Sequence, residues 1–242
     1  LCIAVITAVL AFSGCSTKTI SNEPDLSNEP LPGAKPMLPA HPLPGERNGA
    51  LKGDQYDNFK NGNGNVYGIT SAPKTPMRAV AQWEDHQALL LAWTGSFPKT
   101  IAAIVKAAKP VIDVYVVHDG SNDKSQFQTA LTQNGVSSSG IKYFNMNLNS
   151  LWMRDYGPLS VRSPDGTVSF VDPRYYHQRI YDDAVPTLIG SQWGINVFRQ
   201  PLKWEGGTYI ADGYGNCYYS QGVYWYGGVS QSKVHQYQKE YM

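Results

Sequence analysis

Residues 88–117, ALLLAWTGSFPKTIAAIVKAAKPVIDVYVV, carry the pattern that decides the fold. ALLLAW is short, apolar and followed by turn residues, which is how a strand buried on both faces reads. KTIAAIVKAAKP spaces its apolar residues along one helical face, and VIDVYVV returns to a β-branched run. The cycle then repeats. SQFQTALTQNG reads as a helix with a Ser start and an Asn-Gly stop, and IKYFNMN as a strand. TVSFVDPRYY predicts a strand, DAVPTLIGSQWG a helix closed by Gly194, and INVFRQPL another strand. TYIADGYGNCYYSQGVYW predicts a hairpin whose turn is DGYGN. Such alternation argues an α/β fold. The final SQSKVHQYQKEYM places Val234, Tyr237 and Tyr241 at helical spacing behind a Ser cap. Nothing follows to cover that apolar face, so chain is expected beyond Met242.

Upstream of this domain the texture differs. LCIAVITAVLAF reads as the apolar region of a secretory signal, too short to span a bilayer comfortably. The small residues before Cys15 resemble a bacterial lipobox, with Phe12 at the usual Leu position, so Cys15 is the expected site of lipidation. An ordinary signal peptide with an incidental cysteine is the alternative. Ser16 resembles a residue that permits sorting to the outer membrane, and one acyl group would tether the protein to a membrane of the cell envelope. From Ser16 to about Thr75, Pro, Gly, Asn, Ser and Lys dominate, and such a stretch buries too little surface to offset its ordering entropy. The expected organisation is a signal remnant over 1–14, a lipidated cysteine and disordered linker over 15–78, and a folded domain over 79–242.

Composition narrows the functional classes. The 242 residues are 42% hydrophobic and 16% charged with net charge +1, so the basic footprint that nucleic acids demand is missing. Of three cysteines, Cys2 would leave with the signal and Cys15 would carry lipid, leaving Cys217 unpaired and no disulfide framework. HExxH, CxxC, GxSxG and Walker lysine motifs are absent, and no metal or organic cofactor is called for. GNGNVYG in the linker has neither a preceding strand nor a following helix and is not read as a phosphate loop. The five histidines are scattered, and each alone reads as structural.

Three places bear chemistry. LWMRDYGP sets Arg154 beside Asp155 among apolar residues, where a charge must find a partner. Two readings stand open: a self-contained structural pair, or an Asp155 turned by Gly157 and Pro158 toward a cavity to grip a guanidinium, with Trp152 as the wall. In KWEGGTYIADG, Glu205 precedes Gly206 and Gly207, where a ligand could approach the backbone closely; a plain turn with a solvated Glu205 is the alternative. In RYYHQRIYDDAVP, Asp182 and Asp183 read as a helix N-cap and first turn. Arg174 and Arg179 have no such local role in the sequence, and one of them could meet an anionic substrate end.

Taken together, VAQWEDHQALLLAW, LWMRDYGPLSV, VDPRYYHQRIYDDAVP and WEGGTYIADGYGNCYYSQ resemble, in this order, the bacterial-type peptidylarginine deiminase and agmatine deiminase family. The resemblance runs from about Val80 to the C-terminus. It implies a pentein, the α/β propeller of ββαβ units, present here in part. It also implies hydrolysis of a guanidino group to a ureido group with release of ammonia, through a covalent thiouronium on a cysteine. Residue by residue, Asp155 matches the carboxylate that binds the guanidinium, and Glu205 the acidic residue of the EGG motif that supports substrate and histidine. Trp152 matches the aromatic before the Arg-Asp pair, and Arg179 lies near an arginine that meets a substrate carboxylate. His177 stands where some members have another arginine. The family's His-x-Asp motif and nucleophilic cysteine are expected after Met242, and Cys217 falls at a non-catalytic position. The implied ligand is agmatine, arginine or an arginine-containing peptide. From a different class, the Tyr- and Trp-rich strands could instead stack on carbohydrate in a non-catalytic surface module.

Overall fold

The computed structural model describes residues 3–4, 28–43, 68–176, 178–223 and 229–242. The short strands β1 (Ile3–Ala4) and β2 (Arg78–Ala79) precede β3 (Ala88–Ala92), β4 (Asp113–His118) and β5 (Lys142–Asn145). Strands β1, β3, β4 and β5 form one parallel sheet in the order β1-β3-β4-β5. Helix α1 (Pro98–Ala108) joins β3 to β4, and α2 (Gly120–Gln133) joins β4 to β5. Every residue of β3 is buried, and they alternate in destination. Leu89 and Leu91 pack with Val105, Phe127 and Leu131 under the two helices, while Ala88, Leu90 and Ala92 join Val117, Phe144 and Phe170 on the opposite side. Core on both faces is why ALLLA carries no polar residue.

The second sheet has the order β2-β6-β7-β8, built from β6 (Leu159–Arg162), β7 (Val168–Arg174) and β8 (Val197–Lys203). Strands β6 and β7 pair antiparallel; helix α4 (Ile180–Trp193), which follows the single turn α3 (Met153–Tyr156), returns the chain to β8, parallel to β7. The segment from β6 through β7 and α4 to β8 is therefore one ββαβ unit. Gly194 ends α4 in the left-handed region at φ 65°, as its place in the sequence predicts. Gly190 lets the helix lie close on the sheet, because a Cβ there would fall 2.2 Å from Val197 Cγ2. The hairpin β9 (Tyr209–Ala211) and β10 (Cys217–Tyr219) follows, its turn fixed by Asp212, which accepts from the Tyr214 and Asn216 amides.

Four expectations are revised. Helix α2 starts at Gly120 rather than at Ser125, because Gly120 takes φ 85° and turns the chain directly off β4; the Ser125 hydroxyl instead donates to Ser121 O within the helix. Helix α5 (Gln231–Tyr241) has its predicted Ser230 cap, yet its apolar face is covered. Val234 packs with Leu202 and Trp204, and Tyr241 with Val161, Val171 and Phe198. Folded structure also begins before residue 79: β2 starts at Arg78, and Ile69 bridges Phe198 through Ile69 N–H to Val197 O and Arg199 N–H to Ile69 O. Finally, within the stretch that reads as linker, residues 28–43 follow a defined course along the domain, with Leu31 N–H bonded to Gly95 O and Lys35 N–H to Thr94 O. Of the signal region, Ile3 and Ala4 run parallel to Ala88 and Leu89; Cys2 and Cys15 lie outside the described residues.

Candidate active site

The turn α3 explains how LWMRDYGP separates its charges. Gly157 N–H closes the turn on Met153 O, and Pro158 forbids a further helical hydrogen bond. Met153 and Tyr156, three apart, are buried in the core, with the Tyr156 hydroxyl donating to Ser150 O. Arg154 and Asp155 are left to meet the segment after β8. There the Arg154 guanidinium donates to Tyr209 O at 2.9 Å, and Asp155 accepts from the Gly207 amide. Among the described residues no Arg154–Asp155 ion pair forms. The self-contained structural pair is thereby excluded, and among the described residues only one of the hydrogen bonds that the Asp155 carboxylate can accept is accounted for, that from Gly207.

Glu205 arrives from β8. Trp204 beside it is buried and donates its indole N–H to Gln200 Oε1 at 2.6 Å, which locks the exit of the strand. A 3-10 turn, Gly206–Thr208, follows, with Thr208 N–H and hydroxyl both donating to Glu205 O. Glu205 is only 8% exposed, and its carboxyl accepts from the Tyr176 hydroxyl. A solvated Glu205 is excluded by that burial. The two glycines admit the α3 turn itself: a Cβ on Gly206 would lie 2.4 Å from Arg154 O, and one on Gly207 2.2 Å from Asp155 Oδ1. The close approach expected of a ligand is made by protein instead.

Burial dominates the electrostatics here. Desolvation raises Asp155 to about 6, against the pull of Arg154, the Gly207 amide and Arg179. Desolvation and then the neighbouring Asp155 charge raise Glu205 to about 8. Near neutrality the pair therefore holds about one negative charge, on Asp155, and a proton on Glu205. An entering cation would favour the doubly ionised pair and expel that proton.

Trp152 and Arg179 stand beside these carboxyls but are already engaged. The Trp152 indole N–H donates to Leu38 O at 2.7 Å. Arg179 is fully buried, donates to Pro39 O at 2.9 Å, His41 O and the Tyr175 hydroxyl at 3.3 Å, and lies 4.8 Å from the Tyr176 ring centroid. The guanidinium expected to meet a substrate carboxylate is thus occupied by the backbone of residues 39–41. His177 and Cys15 lie outside the described residues. Asp182 and Asp183 lie in the first turn of α4, as expected, but neither is its N-cap, a position that Arg179 holds. Asp182 accepts from the amides of Asn149 and Ser150 and from the Ser150 hydroxyl, and Asp183 accepts from the Tyr175 amide. Both acids thus hold the two stretches that carry Trp152 and Tyr176.

Residues 78–239 match the family model described as Porphyromonas-type peptidyl-arginine deiminase. The chain belongs to this family. A Photobacterium profundum protein, provisionally named an agmatine deiminase, is 28% identical over 169 residues, covering 62% of this chain and 45% of that protein. Among solved structures, the Enterococcus faecalis agmatine deiminase superposes with TM-score 0.58 at 21% identity, covering 71% of this chain and 53% of that one. The C. jejuni C315S agmatine deiminase with substrate bound gives TM-score 0.58 at 15% identity, covering 68% and 53%. The chain spans about half the length of the relatives it matches. These neighbours are penteins, and the ββαβ unit described above is a repeat of that fold.

Within the family frame, sequence reasoning misses three contributors. Tyr176 reads in the sequence only as part of a strand end, yet its hydroxyl is the partner of Glu205, and its ring stacks on Tyr175 at 4.2 Å. The roles of Asp182 and Asp183 are signalled only by their adjacency. Segment 38–41 is hidden by its linker composition. Cys217 is a half-buried strand residue whose thiol sits 2.9 Å from the Tyr209 hydroxyl, and burial pushes that thiol up, away from a thiolate at neutral pH.

Proposed function

We propose that the protein to which this chain belongs hydrolyses a guanidinium to a urea, water supplying the oxygen and ammonium leaving. The observation that carries the reading is the refusal of Arg154 and Asp155 to pair, which leaves a part-buried carboxylate with acceptor capacity beside a second carboxyl. Two parallel N–H···O bonds from a guanidinium suit the first. A cation there also lowers the proton affinity of Glu205, and so supplies a carboxylate for a second N–H or for orienting a histidine. The attacking thiolate and the histidine that handles protons are assigned to chain outside residues 79–242, since Cys217 fits neither the position nor the charge state. The substrate class is arginine in peptides ahead of agmatine, because an exported enzyme meets peptides.

The test is Asp155→Asn in the full natural chain, assayed for ureido product from an arginine peptide, agmatine and free arginine. Product formation is expected to fall by at least about a hundredfold with an unchanged melting curve. Loss of folding, or retained turnover, would sink the assignment.

Export and lipidation at Cys15 belong to the same proposal, supported by the apolar run and the small residues before that cysteine. Metabolic labelling with radioactive palmitate should mark the wild-type chain and not Cys15→Ala. One observation favours the carbohydrate reading: Trp83 and Tyr214 are 64% and 80% exposed with ring centroids 5.7 Å apart, a platform on which a sugar could stack. Isothermal titration separates the two, since saccharide binding without guanidine binding would replace the deiminase proposal.

A further inference from the structure

Trp152 and Arg179 use their polar atoms on the chain's own backbone. Leu38, Pro39 and His41 present carbonyls to an indole N–H at 2.7 Å and to two guanidinium N–H groups at 2.9 and 3.3 Å. No side chain of the segment takes part in these bonds, so what is read is extended main chain. The segment suits that reading. Residues 28–43 contain five prolines, which stiffen the chain, remove competing N–H donors and leave carbonyls projecting, as in recognition of polyproline-type strands. It also lies wholly outside the family match over 78–239.

The segment is held upstream by contacts remote from the carboxyl pair. Lys35 Nζ bonds Asp119 Oδ2 at 2.6 Å and Leu148 O at 2.8 Å, Gln126 donates to Pro32 O, and Asn28 exchanges two hydrogen bonds with Thr100. Ala34 rests on Gly95, where a Cβ would fall 2.7 Å from the Ala34 Cβ. These anchors are modest. The Lys35–Asp119 side chains are 28% and 37% exposed, which places their ion pair among the weak ones.

We infer that residues 38–41 are the resident occupant of the substrate subsite at Trp152 and Arg179 that the family resemblance implies, displaced when a peptide ligand brings its own carbonyls or carboxylate. The inference rests on the deiminase reading and deepens it. The strap lowers the apparent affinity for peptides in proportion to the time it stays docked, whereas a guanidine with no carbonyl does not need the subsite. Peptides and agmatine therefore respond differently to loosening of the strap.

The test uses the full natural chain with Lys35→Ala, and Pro36→Gly as an independent loosening that touches no anchor side chain. Acetyl-Gly-Arg and agmatine are titrated while the Trp152 indole N–H resonance is followed by NMR. Both variants should bind the peptide about fivefold more tightly and agmatine unchanged. A synthetic peptide of residues 28–43, added to Lys35→Ala, should compete with acetyl-Gly-Arg and not with agmatine. Equal peptide affinity in all three proteins overturns the inference, as does a parallel gain for agmatine. The two readings fail separately. Ureido product from agmatine together with unchanged peptide titrations sinks the strap alone. Absence of ureido product from every guanidine, with the indole resonance still moved by loosening and restored by the added segment, sinks the enzyme alone.

Discussion

Arg78 with Glu84 and Arg154 with Asp155 are two arginine–carboxylate neighbourhoods with opposite outcomes. Six residues separate the first pair, yet they meet in two parallel bonds, Nη1 to Oε1 at 2.6 Å and Nη2 to Oε2 at 2.8 Å. Glu84 further accepts from the Ala81 amide, and the Arg78 bonds hold its carboxyl at about 2. The second pair are chain neighbours and do not pair at all. A helical turn sends their side chains to different partners, and Asp155 is held at about 6 by burial. The lesson is that closure of hydrogen-bonding capacity, rather than proximity in sequence, separates a structural charge from one available to a ligand.

That contrast is tested most strongly at Glu205. Its folded pKa of about 8 lies above the unfolded value near 4.5, so the folded state loses stability as pH rises from about 4.5 to about 8 and levels off above. Glu205→Gln keeps an acceptor for the Tyr176 hydroxyl and has no proton to lose. Its gain over the parent in urea unfolding should grow from near zero at pH 5 to on the order of a few kcal/mol at pH 8. A flat difference would mean that Glu205 keeps its ordinary, solvated pKa, and a difference that turned to a loss with rising pH would mean that it is paired like Glu84. Because Glu205 is still protonated where Asp155 titrates, the same substitution should leave the Asp155 midpoint, followed by carboxyl carbon NMR, essentially unmoved.

Gly207 comes next. An added methyl at 2.2 Å from Asp155 Oδ1 must push the carboxylate away from the amide it accepts from. Gly207→Ala should cost about 2 kcal/mol in denaturant unfolding and weaken guanidine binding about tenfold or more. Gly206→Ala, whose Cβ meets Arg154 O instead, should cost similar stability while disturbing guanidine binding less. Equal effects of both on binding would show that the close packing is only structural.

How much of this is legible in the sequence depends on whether the signal is local. Strands β3, β4 and β7 and the Gly194 stop are readable, because a buried strand and a helix end each announce themselves within a few residues. Asp155 and Glu205 can be named as candidates from aromatic and glycine neighbours. Their separation from Arg154 and from solvent cannot, since it depends on Tyr209, Gly207 and Tyr176 arriving from distant strands. Residues 28–43 read as tether because they bury little apolar surface. Their course is set by backbone hydrogen bonds, to which composition is blind.

The smallest effect belongs to the closed pair. Because Arg78 holds Glu84 at about 2, below its ordinary value, the stability it contributes is present above about pH 4.5 and is lost as pH falls toward 2. Glu84→Gln should therefore cost about 1 kcal/mol at pH 7 and progressively less on acidification, the Arg78 side chain being 35% exposed and its bonds accordingly screened. The two substitutions then give stability differences of opposite sign and opposite pH trend: Glu205→Gln gains with rising pH, Glu84→Gln loses. Guanidine binding should not change in Glu84→Gln, since that carboxylate has its acceptors filled by Arg78 and Ala81. If binding fell as it does on disturbing Asp155, the division between a satisfied and an available carboxylate would fail, and with it the reason for placing the substrate cation at Asp155.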